Sequence, residues 1–199
     1  RTAPRRLPRK RRRQLITDSK GGSDMRVRRR IIMILLIFFC FLLQSTLFQS
    51  TFAVADVAPN LMVILTVSFG LMRGKREGMF VGFLGGILSD LFFGSALGFT
   101  ALLYVIIGYC CGFCYRIFYD DDVKMPVILI AVSDIGYGIA MYAFQFLLRG
   151  RVDFLFYVRR VIIPEMIYTV VVTLVVYRLL LLLNRKLEKA EQRSVGSFV

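Results

Sequence analysis

A basic loop and a glycine-rich apolar segment follow one another in residues 69–98, which read FGLMRGKREGMFVGFLGGILSDLFFGSALG. Four glycines and one acid recur there at every fourth position: Gly78, Gly82, Gly86, Asp90 and Gly94. Residues four apart lie along one face of an α-helix, and glycine lets a second helix backbone come close, which is how helices associate in lipid. The pattern predicts that these four glycines pack against another helix of the same molecule, with a homodimer contact as the alternative.

Long apolar blocks also lie on both sides of this segment. The chain of 199 residues is 57% hydrophobic, and its mean hydropathy of +0.65 is far above that of ordinary soluble domains. Because about 20 consecutive apolar residues cross a bilayer, the blocks predict an all-α integral membrane protein, a bundle of six transmembrane helices. The predicted spans are residues 31–52, 57–72, 78–93, 96–118, 125–148 and 161–183. The second is short, and a re-entrant segment is its alternative.

The distribution of charge indicates how the chain is oriented. A net charge of +14 would suggest nucleic acid as the partner of a soluble protein, but here the bases lie before Ile31 and in short loops between apolar blocks. Cytoplasmic loops of membrane proteins carry an excess of Lys and Arg, so we expect contact with the lipid bilayer, no nucleic acid, and both termini in the cytoplasm. The predicted cytoplasmic bases are those from Arg26 to Arg30, then Arg73, Lys75, Arg76, Arg116, Lys124, Arg185, Lys186, Lys189 and Arg193.

One predicted outer loop breaks this charge rule. Residues 149–160 place Arg149, Arg151, Arg159 and Arg160 around the apolar run VDFLFYV. Two interpretations fit this combination: a segment that lies flat at the membrane surface, or an exposed strip that binds a partner.

The two ends of the chain are polar. Residues 1–24 are basic and precede Met25, so we expect the native protein to start at Met25 and residues 1–24 to be disordered or non-native. A basic arm that binds lipid head groups or nucleic acid is the alternative. The membrane domain is predicted over residues 25–190, and a polar cytoplasmic tail over residues 191–199.

Residues suited to catalysis or metal binding are sparse. The chain contains no His, which removes Ser-His-Asp and Cys-His catalysis and the common histidine metal sites. Cys110, Cys111 and Cys114 include a single C-x-x-C without a second pair, so apolar packing or lipidation is favoured over zinc. The run Asp120–Asp122 has no complementary acidic motif, which favours a solvated loop over a cation site. We expect no enzyme activity, cofactor or metal.

Three acids lie inside or beside predicted spans. Asp134 falls near the middle of the fifth span, where a carboxylate needs a partner or a proton. A proton or cation site is one interpretation; a structural hydrogen bond from a neighbouring helix is the favoured one. Asp90 is predicted to cap the turn Gly94–Ser95. Glu165 lies one turn into the sixth span, at a predicted helix N-terminus that favours negative charge.

Three short motifs occur in a fixed order between residues 59 and 112. A Pro-Asn pair opens a span, R-G-x-x-E-G follows at residues 73–78, and D-x-x-x-G-x-x-x-G follows at residues 90–98. Their order and spacing resemble the MreD family of rod shape-determining proteins, and the outline of six spans over residues 25–190 is similar more loosely. The residues that the resemblance marks as motif and partner-facing candidates are Pro59, Asn60, Arg73, Gly74, Glu77, Asp90 and Gly98.

The resemblance implies a non-enzymatic scaffold of the bacterial inner membrane that contributes to cell shape and lateral peptidoglycan synthesis. Its implied partners are the membrane-anchored protein MreC and, through it, the actin-like protein MreB and peptidoglycan synthases. It also implies a bundle similar to the substrate-binding subunits of energy-coupling-factor vitamin transporters. The alternative function is therefore a subunit of a small-molecule transporter, whose pocket would need convergent polar groups. An intramembrane enzyme acting on lipid-linked precursors is disfavoured by the missing motifs.

Overall fold

The structure is a computed structural model and describes residues 27, 29–48, 58–94, 97–116, 124–149 and 154–196. These residues form helices and no strand, which confirms the predicted all-α fold for the described part of the chain. The predictions for residues 1–24 and for Asp120–Asp122 lie outside it. The helices are α1 (residues 29–43), α2 (Leu61–Arg73), α3 (Lys75–Phe93), α4 (Phe99–Phe113), α5 (Lys124–Arg149), α6 (Phe154–Tyr157) and α7 (Ile163–Gly196).

In the part of the chain that the structure describes, three helical segments are long and apolar enough to cross a membrane, namely Arg29–Thr46, Lys124–Phe144 and Phe154–Lys186. The helices α2 and α4 are apolar but shorter. At about 1.5 Å per residue, their 13 and 15 residues extend about 20 and 22 Å, whereas the hydrocarbon core of a bilayer is about 30 Å thick. An end of such a helix that does not reach the interface must be shielded from lipid by protein.

Several helix ends differ from the predicted spans. The predicted basic loop at residues 73–77 is a single residue, Gly74, which ends α2 and starts α3 with a φ of 88°. The fourth helix starts at Phe99, not at residue 96, because Gly98 with a φ of 94° precedes it. Glycine adopts such positive φ values without steric cost. The predicted loop 149–160 is helical from Phe154 onward, and α7 continues past residue 183 to Gly196, through a tail rich in helix-forming Leu, Glu, Lys and Arg.

The helix α2 lies at the centre of the molecule. All residues from Leu61 to Leu71 are buried, which suits a helix that is apolar on nearly every face. On one side it packs against α3 and α4, and on the other against α5 and α7. Aromatic rings join α4 to α5 in antiparallel order, since Phe99 stacks on Phe144 with ring centroids 3.9 Å apart.

The outer helices expose large apolar side chains. Phe39 of α1 is 59% exposed, Val132 of α5 63%, and Val175 of α7 71%. Such continuous exposed apolar surface is rare on soluble monomers. Together with the three candidate spans, it indicates faces that contact lipid.

A local irregularity precedes Pro164 in α7. A proline inside a helix lacks the backbone N–H, and its ring clashes with the carbonyl four residues earlier, here that of Arg160. The backbone around that carbonyl forms a π-helical turn, Val158–Ile162, which joins α6 to α7 and widens the helix at this point. The helical backbone therefore continues upstream to Phe154, and Glu165 lies in the first turn of α7, directly after the π-helical turn.

Candidate functional site

Three glycines of the predicted stripe lie in the contact between α3 and α4. A Cβ on Gly78 would approach the carbonyl oxygen of Gly108 to 2.8 Å, and a Cβ on Gly82 would approach that of Tyr104 to 2.5 Å. A Cβ on Gly86 would likewise collide with the backbone of α4. Because only hydrogen fits at these positions, the two helix backbones touch directly, and van der Waals contact stabilises the pair in lipid.

The facing surface of α4 carries its own pair of glycines. A Cβ on Gly108 would come within 2.5 Å of the carbonyl oxygen of Gly78, and Gly112 lies against the backbone of Lys75. The sequence analysis missed this second pair, although its four-residue spacing was visible. Gly94 behaves differently, since the atoms nearest to a Cβ there belong to Asp90. It is exposed and ends α3, so it does not pack two helices together.

Charged side chains gather at one end of the bundle, which we call the charged end and define by Arg29, Arg73, Lys75 and Glu77. Glu77 Oε1 accepts a hydrogen bond from Arg29 Nη2 at 2.5 Å, which links α3 to α1. Arg73 Nε donates to Asn184 Oδ1 at 2.6 Å, which links α2 to α7. Both contacts are partly buried, where charge-assisted hydrogen bonds are stronger than on an open surface.

Lys75 completes the charged end through a cation–π contact. Its Nζ lies 3.0 Å from the ring centroid of Phe113 and 5.4 Å from that of Tyr109, which links α3 to α4. The R-G-x-x-E-G motif thus ties the α2–α3 turn to α1, α4 and α7. Arg76, the remaining base of the motif, is exposed.

Asp90 occupies the opposite end of α3 and is only 3% exposed. Its Oδ2 accepts hydrogen bonds from the backbone N–H groups of Gly98 (2.9 Å) and Ala101 (3.1 Å), and its Oδ1 accepts one from Thr100 (3.2 Å). A carboxylate at a helix N-terminus satisfies unpaired N–H groups and complements the helix dipole. The sequence had placed this cap on the turn Gly94–Ser95; it acts instead on the start of α4.

Asn60 connects three helices in the interior. Its Oδ1 accepts from Val63 N at 3.2 Å, as an N-cap of α2, and from the Tyr104 hydroxyl at 3.0 Å. Its backbone N–H donates to Thr169 Oγ1 at 3.1 Å. Asn60, Tyr104 and Thr169 are all buried, as is the adjacent Pro59. The Pro-Asn motif therefore marks the place where α2 begins against α4 and α7.

Asp134 of α5 belongs to the same region and is 3% exposed. The side chains of Thr169 and Asn60 are its neighbouring hydrogen-bond donors, although neither carboxylate oxygen forms a hydrogen bond of normal geometry among the described residues. The favoured interpretation, a structural hydrogen bond from a neighbouring helix, stays a prediction, with the side chains of Asn60 and Thr169 as its candidate donors. Glu165 of α7 lies close enough to Asp134 for the two carboxylates to repel each other. We call Asn60, Tyr104, Asp134, Glu165 and Thr169 the interior polar cluster.

The strip from Phe154 to Arg160 is helical and exposed. Phe154, Leu155 and Phe156 are each at least half exposed, and the Arg160 guanidinium lies 5.6 Å from the Phe156 ring. Together with Arg159 they line an open groove. Adjacent apolar and cationic groups suit either the membrane interface or a partner, so both interpretations of this segment stand.

Other polar groups that a transporter pocket would need are engaged within the chain or undescribed. The carboxylate of Asp90 is occupied by three backbone N–H groups, and the side-chain oxygen of Asn60 by two donors. Asp56 and Ser95 lie outside the described residues. Among the residues that the structure describes, no group of three or more His, Cys, Asp or Glu is arranged to hold a metal ion.

The family model of the rod shape-determining protein MreD matches residues 26–187. That range contains the charged end, the glycine contact between α3 and α4, and the interior polar cluster. No match was found among curated proteins or among solved structures. The chain is therefore a membrane protein of the MreD family, whose members determine rod shape.

Proposed function

We propose that this protein is a non-enzymatic scaffold of the cell-elongation machinery in the bacterial inner membrane. It holds MreC and, through MreC, MreB and peptidoglycan synthases. The observation that carries the proposal is the family match over residues 26–187. The described helices support it in two ways: the glycine contact makes a close-packed core, and the exposed apolar faces of α1, α5 and α7 offer surface on which partner membrane helices pack.

The proposed topology has six spans with both termini in the cytoplasm. The directions of the helices support it, because α1 and α3 begin at the charged end, whereas α2 and α4 end there. Asn184, toward the end of α7, lies at the same end. The three bases at that end, Arg29, Arg73 and Lys75, agree with a cytoplasmic location. The start of α2 is then inside the bundle, where α4 and α7 shield it from lipid.

Arg76 is the residue of the charged end that we propose contacts the partner protein. Arg73, Lys75 and Glu77 form contacts inside the chain, so their role is to position the turn. Arg76 is exposed beside them, so its side chain is accessible to a partner protein. The exposed strip from Phe154 to Arg160 is a second candidate surface, at the other end of the bundle.

Cell shape provides the test of the proposed function. In the rod-shaped bacterium that encodes this chain, cells depleted of it should become round, and the wild-type chain should restore rods. Gly82→Leu should fail to restore them, because the new side chain would force α3 and α4 apart. Phe83→Leu, at an exposed position of α3 itself and away from the faces proposed for partners, should succeed. Depleted cells that remain rods would refute the proposal, provided that immunoblots confirm depletion.

The interior polar cluster is what favours the alternative of a small-molecule transporter subunit. A buried carboxylate without a hydrogen bond is a feature of ligand sites as well as of ion sites. Mass spectrometry of the purified protein separates the two functions: a stoichiometric small ligand together with an ATPase module would establish transport in place of the scaffold.

A further inference from the structure

Asp134 lies deep within the bundle. It is ten residues from the start of α5 at Lys124, which corresponds to about 15 Å of helix and to roughly the middle of the hydrocarbon core. Both carboxylate oxygens are inaccessible to solvent, and although the neutral donors Thr169 and Asn60 lie beside them, no hydrogen bond of normal geometry forms among the described residues. A charge in this position is costly unless another charge or a proton compensates it.

The N-terminus of α2 does not provide that compensation through hydrogen bonds. The N–H of Leu61 donates to the carbonyl of Pro59, that of Met62 to Gln44 Oε1, and that of Val63 to Asn60 Oδ1. These bonds use the donors that a helix start normally offers to an anion. What remains is the helix dipole, equivalent to about half a positive charge.

A second acid increases the deficit of positive charge. Glu165 of α7 is partly buried and close enough to Asp134 for the two negative charges to repel each other. Neither acid forms an ion pair within the described residues. The other titratable groups around them are Tyr104 on α4, Tyr137 on α5 and Tyr157 on α6, with Asp90 of α3 acting on Tyr137. The helix α2 contributes the neutral Asn60. Asp134 and its neighbour Glu165 therefore have no compensating base among the residues that the structure describes.

The ligand that restores the balance must be small, hard and positively charged. Tyr104 is 1% exposed and Thr169 is fully buried, so the surroundings are close-packed and suit an ion better than an organic amine. Carboxylate and hydroxyl oxygens are ligands that hard cations prefer. We infer that Asp134 and Glu165 bind one monovalent cation, a proton or Na⁺, between α5 and α7 beside the start of α2. Its occupancy ties α5 to α7.

The proposed site is tested by measuring how the stability of the folded protein depends on Na⁺ and on pH. The full chain is purified in detergent, and its unfolding is followed by circular dichroism while Na⁺ replaces choline at constant ionic strength, and separately while pH is varied without Na⁺. A cation bound only by the folded state, at ten times its dissociation constant, raises the folded-to-unfolded ratio about tenfold. The melting temperature of the wild type should rise with Na⁺, or with falling pH if the cation is a proton. Asp134→Asn and Glu165→Gln should each lose that dependence.

A control variant and a spectroscopic measurement complete the test. Thr173→Val removes a buried hydroxyl of α7 that bonds only to the carbonyl of Thr169 in its own helix, so it should lower stability while keeping the cation dependence. Infrared spectra of the wild type, which need no variant to fold, should show a protonated carboxyl band for a proton site or a Na⁺-dependent carboxylate shift for a sodium site. A wild type with neither infrared signal, or with the same cation dependence as Asp134→Asn, would overturn the inference.

Discussion

At Gly82 a single hydrogen atom separates α3 from the carbonyl oxygen of Tyr104. A methyl group at that position would have to displace the backbone of α4, because the contact is with backbone and not with the end of a flexible side chain. We expect Gly82→Ala to lower the free energy of unfolding by about 1–3 kcal/mol, the usual cost of overpacking. Denaturant unfolding in detergent, followed by circular dichroism, measures it.

Gly136→Ala is the matched control for this prediction. Gly136 is also helical, but it is exposed and has no atom within 4 Å of a new Cβ. Alanine is favoured over glycine inside a helix by about 0.5–1 kcal/mol, so this variant should be slightly more stable than the wild type. Equal effects at the two positions would show that the glycine contact does not hold α3 and α4 together.

Substitutions at Gly98 measure the cost of an unfavourable backbone conformation alone, because a new side chain there would not be crowded. Its φ is 94°, and no atom lies within 4 Å of a new Cβ. We expect Gly98→Ala to cost about 1–2 kcal/mol because L-residues disfavour this region, and Gly98→Asn to cost less because asparagine tolerates it better. The same unfolding measurement ranks the two variants, and an asparagine variant less stable than the alanine variant would contradict a backbone origin.

Glycine positions were predictable from sequence only where their spacing carried the signal. The four-residue repeat placed Gly78, Gly82 and Gly86 on one helix face, and the structure locates them against α4. Gly94 shares the spacing but lies past the end of α3, because spacing does not reveal where a helix stops. The positive φ values of Gly74 and Gly98 have no spacing signal and depend on how neighbouring helices meet.

Among the helices, α3 and α4 are joined by Asp90 as well as by glycine. Its carboxylate accepts three backbone N–H groups at the start of α4. Asp90→Asn removes the negative charge and leaves a single acceptor oxygen in place of two, so we expect a loss of about 1.5–3 kcal/mol. Hydrogen exchange by mass spectrometry should show faster exchange in peptides covering residues 97–104.

Ser89→Ala serves as the control for that prediction. Ser89 precedes Asp90 and bonds only to the carbonyl of Gly85 within α3, so its removal should leave exchange at the start of α4 unchanged. Unchanged exchange in Asp90→Asn as well would mean that the cap does not hold the helix start.

Element boundaries were less predictable than element type. Apolar runs predicted helices throughout the described chain correctly, because a run of that length in lipid has no other way to satisfy its backbone. The single-residue turn at Gly74 and the helical strip from Phe154 look like loops in sequence, since both are rich in charge. The charged side chains in these segments contact other helices, as Lys75 contacts the Phe113 ring. Such contacts depend on tertiary packing and have no signal in the local sequence.

The whole molecule is expected to have its two ends on opposite sides of the membrane. Arg76, at the charged end, and Leu97, in the turn before α4, are both exposed and lie at opposite ends of α3. In a chain whose four cysteines are replaced by serine, a membrane-impermeant maleimide should label Leu97→Cys in intact spheroplasts. Arg76→Cys should be labelled only after lysis. Labelling of both from outside would contradict the six-span topology.

The order of the sequence motifs predicted the family, and through it the function. The sequence did not predict that the residues of the interior polar cluster lie close together. Pro59, Asn60 and the R-G-x-x-E-G and D-x-x-x-G motifs resembled the MreD family, and the family match shows that membership. The convergence of Asp134 and Glu165 depends on the continuous helix through Pro164, which the sequence analysis had read as a helix start. Residues 109 positions apart, such as Asn60 and Thr169, carry no local signal of their contact.

Binding of MreC is the central property of the proposed scaffold, and quantitative co-purification from native membranes in mild detergent measures it most directly. We expect MreC to co-purify with the wild-type chain. Arg76→Glu should reduce its recovery severalfold at unchanged melting temperature, while Lys124→Glu, the same charge change at an exposed position on α5, should reduce it less. Recovery of MreC no greater than from membranes lacking the tagged chain would mean that the protein is not the scaffold described.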